Sequence, residues 1–124
     1  MKLRIKGNTL RLRLTQTELD QLGRGETVRE EIPFPQATLT YAVRPDATLS
    51  SMAVQYQGHE VLVRLPEYQV REWVDTDLVG LEETLEVGNG KTLYLLLEKD
   101  FQCLHKRPNE EESDQFANPA AIRE

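Results

Sequence analysis

Apolar and polar residues alternate with period two from the first residues of the chain. Leu3 and Ile5 fall on one side of an extended segment, and Lys2, Arg4 and Lys6 on the other. Gly7-Asn8 is a turn signal. Leu10, Leu12 and Leu14 then resume the alternation with Arg11 and Arg13 on the opposite side, which predicts a hairpin. Thr15 and Glu18 have the spacing of a capping box, and Leu14 and Leu19 that of a hydrophobic staple. Leu19 and Leu22 give a narrow helical stripe, and Gly23 ends it. A helix of about eight residues does not persist alone in water, so it must dock on the strands. Two more strands follow. Val28, Ile32 and Phe34 alternate with Arg29, Glu31 and Pro33, and Leu39, Tyr41 and Val43 with Thr38, Thr40 and Ala42. Pro33-Phe34-Pro35 assigns their connection to a sheet edge, since proline donates no ladder bond.

The same plan then recurs. Val54 and Tyr56 lead through Gly58-His59 to Val61, Val63 and Leu65. Pro66 opens a helix whose buried stripe is Val70, Trp73 and Val74. Leu81, Leu85 and Val87 share one face of the next strand, Gly88-Asn89-Gly90 is a hairpin turn, and Leu93 to Leu97 form the most apolar strand. The two units, residues 2–44 and 53–97, align at an offset of 51 through the first helix. The offset becomes 53 from Val28/Leu81 and 54 from Thr38/Thr92. The changes fall in connections, where insertions are tolerated. Each unit reads β-β-α-β-β, a pseudo-dimer within one chain rather than a solenoid.

A chain of 124 residues supports one modest core without a metal or disulfide to staple it. The duplicated domain is expected over residues 1–100, with a tail over 101–124. Cys103 is the sole cysteine, so no intrachain disulfide forms. No apolar run approaches a membrane span, and the N-terminus lacks the apolar stretch of a secretory signal. A cytoplasmic protein without a membrane partner is expected. The net charge of −6 is unevenly spread. Residues 1–17 hold Lys2, Arg4, Lys6, Arg11 and Arg13 and no acid, whereas residues 53–98 hold three basic residues against nine acids. That asymmetry bears on partners rather than on fold.

This order and content resemble the AbrB/MazE family of swapped-hairpin barrels. Gly7-Asn8-Thr9-Leu10-Arg11-Leu12-Arg13-Leu14 resembles the Gly-Asn-Ser strand of MazE-type antitoxins, and Val63-Arg64-Leu65-Pro66-Glu67 the Arg-Ile-Pro approach to the helix in that family. The resemblance spans roughly residues 2–98. It implies a mostly β fold with two short helices, a pseudo-two-fold barrel that family members otherwise reach by dimerising. Two units in one chain then imply a monomeric pseudo-dimer, free of the concentration dependence of assembly. The resemblance also implies duplex DNA binding through the basic first hairpin. Lys6, Asn8, Arg11 and Arg13 would face phosphates and base edges, supported by Lys2 and Arg4. The second unit departs from this pattern, with Gln55, Gln57, His59 and Glu60 where the first carries its basic row. Thr15 also stands where the family has proline. The plain alternative is that these arginines are the solvated face of an amphipathic hairpin.

Residues beyond Leu97 fall outside the repeat and resemble the tails of small uncharacterised bacterial proteins. MazE-type antitoxins carry an acidic tail that wraps a toxin. Glu110, Glu111, Glu112, Asp114 and Phe116 are the corresponding partner-binding candidates for a basic protein, on a segment that is short and lacks an apolar helix face. Phe101, Leu104 and Phe116 either anchor this tail on the domain or leave it disordered. Cys103 and His105, near Asp100 and Asp114, offer a metal site or a cysteine nucleophile with a histidine base. His59 is the sole other histidine, and no oxyanion stabiliser is evident. A half-buried cysteine beside an exposed histidine explains the pair more simply. Glu30 and Glu83 occupy matching positions on apolar strand faces, as a carboxylate pair or as markers of strand ends or bulges. The expectation is a non-enzymatic binding module with no catalytic residue, metal or cofactor. It serves as a DNA-binding or antitoxin-like regulator or, in the alternative, as a protein–protein module that has lost DNA binding.

Overall fold

The computed structural model describes residues 1–101 and residue 116. The element order is β1 (Lys2–Lys6), β2 (Thr9–Leu14), α1 (Gln16–Gly23), β3 (Val28–Pro33), β4 (Thr38–Asp46), β5 (Ala53–Gln57), β6 (Glu60–Pro66), α2 (Glu67–Asp75), β7 (Gly80–Gly88) and β8 (Lys91–Lys99). The protein is therefore mostly β with two short helices, β-β-α-β-β written twice.

Pairing follows the duplication residue by residue. Leu3 pairs with Leu12 on β1–β2, and Val54, 51 residues on, pairs with Val63 on β5–β6. Val28 pairs with Val43 on β3–β4, and its counterpart Leu81 pairs with Leu97 on β7–β8. The halves then exchange hairpins. One sheet runs β1-β2-β8-β7 and the other β3-β4-β6-β5. The central contacts, β2 with β8 and β4 with β6, are parallel and join one half to the other. Leu12 opposite Leu97 in one sheet corresponds to Val63 opposite Val43 in the other. Neither half completes a sheet alone, so each needs the other.

The core lies between the inner faces of the sheets and the two helices. Leu14, Leu65, Val43, Val63, Leu95, Leu97 and Trp73 are fully buried. The α1 stripe, Leu19 and Leu22, is buried, as are Val70 and Trp73 of the α2 stripe, while Val74 is half-buried against the core. The helices touch each other, and a Cβ on Gly23 would stand 3.3 Å from Val74 Cγ1. Thr15 caps α1 with the full capping box expected of Thr15 and Glu18. The helix ends at Gly23, but the left-handed residue falls at Gly25, with φ of +82°. Pro66 stands one position ahead of α2 as its N-cap and supplies no side-chain cap.

The barrel expectation is corrected. No ladder among the described residues joins one sheet to the other, so the eight strands form two four-stranded sheets and not a closed barrel. The outer strands β1, β3 and β7 bear features that discourage pairing: the cationic row of β1, Pro33 on β3 and the irregularity of β7 between Glu86 and Gly88. The inward alternation also stops burying residues near the hairpin tips. Ile5, Tyr56 and Ile32 lie on core-side registers yet are exposed, as are Phe34 just past β3 and Val87 in the irregularity of β7. The strands outrun the core, and alternation sets a side chain's direction without supplying anything to cover it.

Glu30 and Glu83 resolve as matched strand-start acceptors. Met1 donates its ammonium to Glu30 Oε1 at 3.0 Å and to Glu18 Oε2 at 2.5 Å. Met52, 51 residues on, donates its backbone N–H to Glu83 Oε1 at 3.1 Å. Each glutamate therefore ties down the residue that opens its half's first strand. The counterpart of Glu18 is Gln69, whose Oε1 is buried without a hydrogen-bond partner. Glu18 accepts from the N–H of Thr15, whereas the equivalent Pro66 has no N–H to give. The capping box survived in one half and lost its donor in the other.

Candidate anion-binding face

Strand alternation sets the basic residues on one surface. On the outer face of the β1-β2-β8-β7 sheet, Lys2 stands opposite Arg13, Arg4 opposite Arg11, and Lys6 opposite Thr9. Across the parallel contact, Arg13 faces Glu98, Arg11 faces Leu96 and Thr9 faces Tyr94. β7 closes the row with Gly80, Glu82 and Thr84 opposite Glu98, Leu96 and Tyr94. The face therefore grades from cationic on β1 and β2, through β8, to acidic on β7. Two shallow depressions of about 230 and 170 Å³ lie among the cations. The first is lined by Arg4, Lys6, Thr9 and Arg11, and the second by Lys2, Leu3, Arg4, Arg11 and Arg13.

Counter-ions divide the six sequence-selected residues into two groups. Arg11 Nε donates to Glu98 Oε1 at 2.5 Å, and Arg13 Nε lies 3.6 Å from the same oxygen. Lys2 Nζ is 3.4 Å from Asp100 Oδ2. Asn8 is also committed, since its Nδ2 donates to the Thr92 carbonyl at 2.9 Å and its own carbonyl accepts from Tyr94 N at 2.8 Å. Those bonds tie the β1–β2 turn to the start of β8. Arg4 and Lys6 are exposed, and among the described residues no acid pairs with either. The Arg11–Glu98 pair is half-buried, so an incoming anion must displace Glu98 to reach Arg11 and Arg13. Glu98 and Asp100 were missed in the sequence because their strand comes from the other half.

The matching face of the second sheet lacks the gradient. Ala53, Gln55 and Gln57 replace Lys2, Arg4 and Lys6, opposite Arg64, Leu62 and Glu60. Arg64 is held by Asp46 at 3.1 Å, and Arg29 by Glu60 at 3.4 Å. Hydrogen bonds from Thr48, and a further one from Arg64, hold the Asp46 carboxyl below its ordinary range. His59 occupies the β5–β6 turn at φ of +63°, exposed and remote from the basic face.

The end of β8 organises the start of the tail. Phe116 N donates to the Asp100 carbonyl at 2.8 Å and bridges to Phe101, with the rings edge-on at 5.9 Å. Lys99 is buried, donates to the Thr76 carbonyl at 2.9 Å, and lies 5.3 Å from the centroid of the Phe116 ring. Burial holds its ammonium below the ordinary lysine range, against the pull of Asp77. Phe116 is thus an anchor on the domain, and Phe101 packs on it. Glu110, Glu111, Glu112 and Asp114 lie outside the described residues, as do Cys103, Leu104 and His105. Among the described residues no group of three or more His, Cys, Asp or Glu could hold a metal ion, and no helix is long and apolar enough to cross a membrane.

A family model matches residues 1–120, running through both units and into the tail. The chain belongs to this family of unknown function (DUF7009). No curated protein and no solved structure matches the chain.

Proposed function

We propose that this protein is a non-catalytic binding module that takes an anionic partner, in the first place duplex DNA, on the outer face of β1 and β2. The observation that carries this reading is the row Lys2, Arg4, Lys6, Arg11 and Arg13 on one face, with Arg4 and Lys6 free of acids among the described residues. Phosphate oxygens are the natural ligands for such a row, and releasing their counter-ions would supply the affinity. The exchange of hairpins between halves supports the AbrB/MazE-like, swapped-hairpin reading, and with it an antitoxin-like regulatory role. Arg4 and Lys6 carry the contact, because Arg11 and Arg13 must first leave Glu98 and Asn8 is occupied in its turn.

A specific observation favours a second reading. The same sheet face ends in Glu82 and Glu98, which suits a protein surface of mixed charge better than a uniform polyanion. Fluorescence anisotropy with a labelled duplex at two salt concentrations separates the two. DNA binding should weaken steeply with salt, by a log–log slope of about 0.9 per phosphate contacted. Absence of binding at low salt ends the DNA reading and leaves the protein partner.

A further inference from the structure

The outer face of the β1-β2-β8-β7 sheet has two poles, and they stand in the same rows. The first row runs Lys2, Arg13, Glu98, Gly80 across the four strands. The second runs Arg4, Arg11, Leu96, Glu82, and the third Lys6, Thr9, Tyr94, Thr84. In these rows every cation lies on β1 or β2 and every acid on β8 or β7. Contacts within the chain leave the poles unspent. Glu98 is shared between Arg11 and Arg13, and Glu82 accepts from the Tyr94 hydroxyl. Among the described residues Arg4 has no acid and Glu82 no cation. Tyr94 and Leu96 stand half-buried between the poles.

Two such faces match through one rotation. A two-fold axis parallel to the strands, above the gap between β2 and β8, sets β1 of one copy over β7 of the other and β2 over β8. Each row then meets its own reverse, so cation falls on acid. An axis across the strands would instead set β1 on β1, cation on cation.

We propose that this face is a self-association surface, on which a second copy of this chain lies face to face about the axis parallel to the strands. Arg4 meets the second copy's Glu82, and Arg13 meets its Glu98. Lys2 passes over its Gly80, where the Leu97 carbonyl leaves no room for a side chain. Nearer the axis, Arg11 lays its apolar stem on Leu96 and Thr9 lies on Tyr94. Each contact occurs twice, as an isologous interface requires. Sheets packed face to face lie about 30° from parallel, which keeps the pairs near the axis and leaves the long Arg4 and Glu82 side chains to bridge the rim. Charge complementarity selects a second copy, because a foreign partner would have to carry both poles at these spacings. The outer face of the other sheet does not, since its β5 presents Ala53, Gln55 and Gln57. Four strands about 4.8 Å apart and three rows about 6.8 Å apart cover roughly 400 Å² per copy, so the dimer is weak. The inference rests on the reading of this face as a site for a protein of mixed charge, and names that protein. Self-association and duplex binding exclude each other, since both cover Arg4.

Sedimentation equilibrium of the full chain from about 1 μM to 1 mM at low salt, beside the Arg4→Glu and Glu82→Arg chains alone and mixed, tests it. The native chain should form a weak dimer that dissociates as salt is raised. Each variant alone sets like charges face to face and should weaken the dimer at least tenfold. Their equimolar mixture should dimerise again. The acid introduced at position 4 of one chain then meets the guanidinium introduced at position 82 of the other, and the native Glu82 meets the native Arg4. NMR of the native chain needs no variant. Amide shifts should move with concentration at Arg11, Tyr94 and Leu96, and stay fixed at Gln55 and Leu62, the equivalents of Arg4 and Arg11 in the other sheet. A chain monomeric throughout, a mixture no tighter than either variant, or shifts confined to other surfaces would each overturn the proposal. Duplex added to the same samples keeps the two readings apart. A monomer that binds duplex overturns self-association alone, and a dimer that takes no duplex overturns the DNA reading alone.

Discussion

The two halves of this chain share a backbone and differ in surface. Their strand pairs coincide at offsets of 51 to 54, down to the carboxylates that hold Met1 and Met52. Outside the core they part. Residues 2–45 hold eight basic and five acidic residues, and residues 53–98 three and nine. Burial constrains both copies alike, because each inner face packs against the other half. The outer faces carry no such mutual constraint. The lesson is that fold symmetry and charge symmetry are separate properties. A two-fold partner site does not follow from a two-fold fold.

The core comparison predicts the largest effect. Trp73 and Leu22 are equivalent, and both are buried, but Trp73 also donates its Nε1 to the Val79 carbonyl at 3.1 Å. Trp73→Ala should cost about 3 to 5 kcal/mol and Leu22→Ala somewhat less in urea unfolding. Equal losses would mean that the indole adds nothing specific to its half. The strand starts come next. Acetylating Met1 removes a charge held by Glu18 and Glu30 and should cost about 1.5 to 3 kcal/mol, the range for hydrogen bonds to charged groups. Burial opposes that ammonium, but the two carboxylates outweigh it and raise its pKa above the ordinary 8.0. Its contribution is therefore fully present below pH 8.0 and is lost as the pH rises through the raised folded value. Acetylated protein should not show that alkaline loss in a pH series of thermal melts. The helix caps give the smallest effect. Thr15→Ala should cost about 1 kcal/mol by the same unfolding assay. Gln69→Leu should be nearly neutral, because its buried oxygen has no partner to lose. A large loss at Gln69 would show that the second cap still functions.

Much of this was legible in the chain, for identifiable reasons. Period-two runs and the Thr15–Glu18 cap are local, so the elements could be read directly. The register changes fell in connections, so the repeat predicted which residues pair. Other features were hidden because they depend on the other half. Glu98 and Asp100 reach the basic residues only once β8 lies parallel to β2. Gly80 is needed because a Cβ would run into the Leu97 carbonyl oxygen, a crowding that no local pattern reveals. Alternation places Ile5 and Tyr56 on one side of their strands but does not tell where the opposing layer ends, so their exposure is not legible locally. The candidate face was half legible. Its cations could be read from the sequence, and its counter-ions could not.

Those counter-ions give the charge comparison a sharper form. Glu98→Gln should release Arg11 and Arg13 and tighten duplex binding several-fold, with a steeper salt dependence. The most direct test compares two equivalent double variants for salt-dependent binding of a labelled duplex. Arg4→Glu with Lys6→Glu reverses the first edge, and Gln55→Glu with Gln57→Glu adds the same acids at the matching positions of the second. The account predicts a loss of at least tenfold from the first pair and little change from the second. Equal losses from both, or none from the first, would contradict it.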